Sequence, residues 1–439
     1  MNNKTSEVKP VRVVIIGGGV AGLGAAYGLT RPELEGRFDV RVIEKRTASQ
    51  CLEAGYPIHL SPSGRDAIST LLSPADQERL HLARQSLPAR HDGISFFNSD
   101  CKRIWHTLRE PFESSLVERG DILRILRDRV KGIEYDRKVV SVKDLQDEAV
   151  VMLSTGEIIR ADIVIGSDGM FSAVRKTLHP KDDFRPMPWV TCNFRLSPSF
   201  LKAAVSGLGA DPRGINVFCG TGWSAALMPT HDGAYVALTV PSPMKDIRSA
   251  FASLPDLPLI QAIRADVNTN QGRAFPLYSA KYTQAGRGRL ILIGDAAHGM
   301  NPFCGAGASM ALSDAASLVK VLTGTEDLAE ALPRFHNDLK KRADPMIKMS
   351  KVLLWLAQGK TPMGRVARGT AFRTIEVVEK VLPTRKRMQK RLDAVLADAE
   401  EAKRLDAALA EEANQAGISP VSSTSTLLED TPPKMLRHD

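Results

Sequence analysis

A buried run of β-branched residues breaks into glycine almost at the start of this chain: VRVVII, residues 11–16, then GGGVAGLGAAYGL, 17–29. The run reads as a strand and the small residues from 20 to 30 as a helix. FDVRVIE, 38–44, reads as a second strand that ends in an acid. Together they make a βαβ unit, so the fold expected is α/β. The spacing Gly17, Gly19, Gly22 is G-x-G-x-x-G. The first glycine suits a tight turn. The second lets the backbone approach a pyrophosphate, and the third lets the helix pack on the strand. Free N–H groups at the helix start, at Val20 and Ala21, add a positive dipole end for phosphates. Glu44 stands where a carboxylate can accept both ribose hydroxyls of an adenosine. Lys45 and Arg46 follow it and complete the first set of candidate cofactor-binding residues. The unit by itself does not choose between NAD and FAD.

The rest of the chain is long enough for two or three domains, since it has 439 residues. A net charge of +9 favours anionic partners. The Lys and Arg are spread along the chain, without an interleaved aromatic-basic signature, so nucleic acid is not expected. Cys51, Cys101, Cys192, Cys219 and Cys304 are far apart and form no CxxC pair or Cys/His cluster. They read as reduced thiols of a cytoplasmic protein with no metal site. MNNKTSEVKP is too polar for a signal peptide, and no stretch approaches the ~20 apolar residues of a membrane helix.

Further along, 119–131 reads as a helix, and 139–153 and 157–165 as strands. The stretch 186–241 is strand-like with turns at DPRG, GTG and HDG. Residues 289–293 read as a buried strand, 305–323 as a helix, 327–410 as largely helical, and the last twenty or so as disordered. No internal repeat is present.

Two segments carry a resemblance. DIVIGSDGMFSAVR, 162–175, and GRLILIGDAAHGMNPFCGAGASMALSD, 288–314, are similar to the DG and GD motifs of the group A flavoprotein monooxygenases, the para-hydroxybenzoate hydroxylase-like family. GYPIHLSPSGRDAI (55–68), VERGDILRIL (117–126) and LMPTHDG (227–233) also resemble pieces of that family, in order. The resemblance implies a Rossmann-like FAD-binding domain of the GR2 type with an inserted, mostly antiparallel β-sheet substrate domain and C-terminal helices. It implies FAD, held by Arg119, Asp168, Gly169 and Arg175 as well as the first loop. The residues of the second motif can also be read directly. Gly294 and Asp295 end a buried strand, where an acid can accept from the ribityl chain. Pro302, Gly305, Ala306, Gly307 and Ala308 open a helix whose amides can donate to the flavin N1–C2=O edge.

The implied reaction uses NADPH, or NADH, as a transient co-substrate and O2. A flavin C4a-hydroperoxide would hydroxylate or epoxidise an electron-rich aromatic or polyketide-like molecule. Candidate bases are His59, His231 and Tyr278, with Tyr56 beside them. Phe194, Arg195, Phe218, Met228, Pro302 and Phe303 are candidate substrate contacts. The glycine pair of the second motif is separated by Ala306 where the family usually has Gln, and Ser309 replaces a usual Asn. A flavin-dependent halogenase is the nearest rival, but Trp105, Trp189, Trp223 and Trp355 are nowhere two apart. A non-catalytic FAD-binding protein, acting through the basic 383–391, is another. The expected division is 1–182 for the first FAD-binding part, with a substrate-side insertion at about 55–115. It continues with 183–284 for the substrate sheet, 285–345 for the second FAD-binding part, 346–410 for C-terminal helices and 411–439 for a disordered tail. A monomer or homodimer is expected.

Overall fold

A computed structural model describes residues 9–371, apart from 54, 86–92, 107–114, 146, 182–183, 244–246, 253, 268–271, 282–284, 325–326, 360–367 and 369. The glycine loop sits in a six-stranded sheet ordered Gly286–Arg287, Leu290–Leu292, Ile163–Gly166, Val11–Ile16, Phe38–Ile43, Ile133–Glu134. Val11–Ile16 pairs in parallel with both neighbours, and the one antiparallel pair is at the edge. Val13–Ile16 are all buried, as a parallel strand covered on both faces requires. Helix Val20–Leu29 is buried along its whole length because helix Gly307–Thr323 lies over it. Glycine permits that approach: a Cβ on Gly28 would fall 2.6 Å from Val319 Cγ2.

The second sheet has seven strands, ordered Arg273–Ser279, Arg185–Leu196, Gly233–Pro241, Ser224–Thr230, Ile215–Cys219, Ile94–Asn98, Arg103–His106. It is antiparallel except where Ile215–Cys219 meets Ile94–Asn98. One face packs on helices Pro198–Leu208 and Pro258–Asp266 through Phe194, Leu196, Phe218, Leu227 and Val236. Helix Leu328–Gln358 joins the two halves. Phe335 and Leu339 belong to the nucleotide-side core, while Val352, Leu354 and Leu356 pack beside the second sheet.

Three readings of the sequence change. The 55–115 stretch is not one substrate-side insertion. Ile58, Leu60, Ile68 and Leu71 pack in the nucleotide-side core, and among the described residues of this stretch only 94–106 adds strands to the second sheet. The 186–241 stretch contains a helix, Pro198–Leu208, whose Ser197 caps it by accepting from the Phe200 N–H at 3.1 Å. No break occurs at 346, since one helix runs through it. The basic 383–391 and the 411–439 tail lie outside the described residues.

Candidate active site

The three glycines of the first loop do three different jobs. Gly17 has φ +109°, and a Cβ there would meet Ser167 O at 2.4 Å. Gly22 is a packing glycine, since its Cβ would strike Gly17 O at 2.1 Å. A Cβ on Gly19 would meet nothing within 4 Å. That glycine faces open space at the start of a helix, where free N–H groups bind anions. Glu44 is buried beside the loop. Its Oε2 accepts from the Gly18 N–H at 2.7 Å and its Oε1 from the Arg46 N–H at 2.9 Å. Each carboxylate oxygen retains a lone pair for a ribose hydroxyl.

Two further acids line the same space. Asp168 Oδ2 accepts from the Ala173 N–H at 2.7 Å, and its Oδ1 is buried with no partner among the described residues. Burial raises its carboxyl pKa, against hydrogen bonds from Ser172 and Ala173. Asp295 follows Gly294, which turns the chain at φ +59°. Its side chain is open to solvent yet ringed by protein, as on the wall of a cleft. That enclosure raises its carboxyl pKa, with the His298 charge opposing and the Asp314 charge reinforcing the shift.

A buried cluster holds this segment. Asp314 Oδ2 accepts from the Gly294 N–H at 3.0 Å and meets His298 Nε2 at 2.5 Å, while Arg342 reaches Oδ1 at 3.2 Å. Burial alone would lower the His298 pKa, but the Asp314 charge and hydrogen bond raise it. Arg175, expected to contact cofactor, is instead part of this scaffold. It is 3% exposed, donates to Ala296 O and Ala297 O at 3.0 Å each, and lies over the Phe184 ring. Beyond it, Pro302 and Gly305 are exposed, and a Cβ on Gly307 would meet nothing within 4 Å. An acid with one oxygen unpaired, an accessible acid and two glycines facing open space fit a ligand with phosphates and a polyol.

The FAD binding domain family matches residues 85–346. The chain belongs to that family. It is an FAD-dependent monooxygenase. An FAD-dependent monooxygenase of Penicillium shearii, esdpE, is 26% identical over 389 residues, covering 80% of this chain and 79% of that one. The 6-hydroxynicotinate 3-monooxygenase of Bordetella bronchiseptica is 26% identical over 391 residues, covering 80% and 93%. The fold is that of Klebsiella pneumoniae HpxO, solved with FAD and uric acid: TM-score 0.70, 20% identity, 90% of this chain and 99% of that one. Among the described residues, no helix is long and apolar enough to cross a membrane.

In this monooxygenase the remaining candidates separate. Phe194 and Phe218 are corrected: both are sealed in the sheet core, with Phe218 stacked on Phe97 at 4.7 Å. A core side chain on the helix-covered face cannot touch substrate. Arg195 and Met228 lie on the other face, where Arg195 pairs with Glu118 at 2.9 Å and Asp232 at 3.3 Å. Phe303 is half-buried against Trp189, Leu277 and Leu354. His231 is corrected as a base, for it is exposed on a hairpin turn beside Asp232. His59 is half-buried next to Gly305, and burial holds its pKa below the usual value. Tyr278 meets Phe171 edge-on at 5.2 Å. Tyr56 is 40% exposed, with Arg119 over its ring and Tyr235 at 6.4 Å. Arg119 itself donates to Cys51 O at 3.0 Å. Ser309, the departure from the family pattern, accepts from the Ser61 N–H and donates to His59 O, tying the flavin-loop helix to strand Pro57–Leu60. Asp314, Arg342 and Asn193 were not singled out in the sequence. The histidine of GDAAH was the available signal for the first, but its partner lies 16 residues on.

Proposed function

We propose that the enzyme uses NADPH, or NADH, and O2 to hydroxylate an electron-rich aromatic ring held between the 302–307 loop and the second sheet. The observation that supports this reading is that Phe303, on the loop that follows Asp295, packs against Trp189 and Leu277 of the second sheet. FAD, when bound, accepts the hydride and activates oxygen. The chain's own groups do the rest. Val20 and Ala21 offer N–H groups to the phosphates, Glu44 accepts from the ribose, and Asp168 and Asp295 accept from the polyol. Amides at the start of helix Gly307–Thr323 donate to the flavin edge, where positive dipole potential stabilises the negative charge of the reduced ring. His59, kept neutral by burial, sits where it can steer a proton near Gly305. Phe303 and Tyr278 help keep water out.

The test is direct. Purified protein should be yellow, should oxidise NADPH faster when a hydroxylated aromatic is added, and should place one atom of 18O from 18O2 in the product. A colourless protein that takes up no FAD on titration would remove the reading.

A further inference from the structure

The second sheet is buried on its helix-covered face, but one row across its other face is not. Val217, Ala226, Ala237 and Asn193 stand side by side in register on four adjacent strands, and each is half-exposed. The rows on either side are filled. On one side, Ser224, Thr239 and Thr191 are buried, with Gln358 of the long helix donating to Ser224 Oγ and the two threonine hydroxyls paired at 2.9 Å. On the other, Tyr235 is buried under Tyr56, and Arg195 is held by Glu118. The open row is therefore a trough between a row covered by the long helix at Gln358 and a row covered by Tyr56. Its floor is valine and two alanines, small enough to leave space above them. On its floor, Asn193 Oδ1 is buried and has no hydrogen-bond partner among the described residues, as is also the case for Gln358 Oε1 on the helix beside it. A buried acceptor left unpaired is destabilising, and native proteins keep one chiefly where a ligand completes it.

We propose that Asn193 is a specificity-determining residue whose carboxamide oxygen accepts a hydrogen bond from a ring N–H or O–H of the substrate, and that Ala226 and Ala237 receive the flat, apolar face of that ring. This rests on the reading of the trough as the substrate chamber. The substrate class follows from the lining. Arg195, one row away, is paired with Glu118 and Asp232, and Arg273 is the exposed register partner of Asn193 on the edge strand. A flat heteroaromatic with a donor suits an amide acceptor and an alanine floor. The alanines set the thickness: a larger side chain at 226 or 237 would fill the space the ring needs.

The probe pair is 4(1H)-quinolone and its N-methyl analogue, which differ in the single donor. Each is titrated into holoenzyme, with the flavin absorbance change read for Kd and NADPH oxidation read for KM and kcat. The parent should bind the N–H compound about tenfold more tightly than the N-methyl compound, the effect of one neutral hydrogen bond. Asn193→Leu, of similar volume, should remove that discrimination by raising KM for the N–H compound, with FAD content unchanged. Ala237→Leu should weaken both probes together, again with full FAD. Equal binding of the two probes by the parent, absence of any probe effect on the flavin, or discrimination that survives Asn193→Leu would each overturn the assignment. Those failures are distinct from failure of the monooxygenase reading. In the latter case the protein takes up no FAD or inserts no oxygen into any ring, whatever stands at 193.

Discussion

At the nucleotide end of the cleft, both carboxylate oxygens of Glu44 accept from backbone N–H groups, of Gly18 and Arg46. At the proposed substrate end, Asn193 keeps a buried oxygen with no hydrogen-bond partner among the described residues. The first end is a rigid cradle made of backbone amides, glycine geometry and acids fixed by the fold. The second is a surface defined by what the side chains leave unfilled. The difference follows from the two tasks. Every enzyme of this cofactor class must hold the same FAD, so the cradle can be built into turns and helix ends. A substrate trough must differ between enzymes, and side chains on a sheet change without altering its ladder.

If the comparison holds, changes at the first end should damage folding and FAD binding together. Changes at the second should alter only what happens to the substrate. The largest effect belongs to the cluster behind Asp295. Asp314→Asn leaves a buried histidine and Arg342 without their carboxylate, and should destabilise the protein by about 3–5 kcal/mol. The pH dependence gives a second readout. His298 has a folded-state pKa above its ordinary 6.5. Its pairing therefore contributes stability that is fully present below 6.5 and lost as pH rises through the folded value. In Asp314→Asn, burial without the acid should lower that pKa and reverse the slope. Melting temperatures of both proteins from pH 6 to 9 check this, and an unchanged slope would remove the pair from the scaffold.

Next is Gly17→Ala. Positive φ costs about 1–3 kcal/mol in a non-glycine residue, and the approach to Ser167 O adds to it. Loss of bound FAD along with a lowered melting temperature is expected; a normally stable variant that keeps FAD would show that the turn tolerates a side chain. Glu44→Ala is smaller and more selective. Hydrogen bonds with a charged partner contribute about 1.5–3 kcal/mol each at best, so FAD affinity should fall by roughly one to three decades. Equal FAD affinity in parent and variant, measured by fluorescence titration, would mean that Glu44 does not hold the ribose.

The smallest effect on binding is expected at Ala306, the residue just before helix Gly307–Thr323. On the proposed reading its neighbours would contact flavin through the backbone, so Ala306→Gln should change FAD affinity by no more than a few-fold, within about 0.5 kcal/mol. A longer polar side chain there alters pocket volume and the water it admits. The ratio of hydroxylated product to hydrogen peroxide per NADPH should therefore shift. A large loss of FAD in this variant would erase the contrast between the two ends, and an unchanged ratio would place residue 306 away from the reacting edge.

Local pattern was enough for much of the cradle. The strand and glycine turn are adjacent in sequence, and the acid lies 26 positions beyond Gly18 at the end of the next strand. Steric rules link such neighbours whatever the rest of the chain does. Spacing alone therefore anticipated the turn at Gly17, the packing glycine at Gly22 and Glu44 beside the loop. Arg175 was misjudged because a helix-borne arginine near a cofactor motif has the same local pattern whether it reaches inward to Ala296 and Ala297 or outward to a ligand.

The substrate side could be read less far. TCNFRL, 191–196, alternates: Cys192, Phe194 and Leu196 take one face, Thr191, Asn193 and Arg195 the other. The sequence by itself determined that these sets are opposed, since a strand turns successive side chains to opposite faces. Which set is enclosed was decided by helices Pro198–Leu208 and Pro258–Asp266, which claim the apolar face, and so bury Phe194 and Phe218. The same holds for the open row of Val217, Ala226, Ala237 and Asn193, and for the meeting of His298, Asp314 and Arg342. Their members lie on different elements, and only the pairing of strands and the docking of the long helix bring them together. Periodicity fixes a residue's orientation within its own element. Contact between elements depends on which faces bury each other, and that is a property of the packed chain.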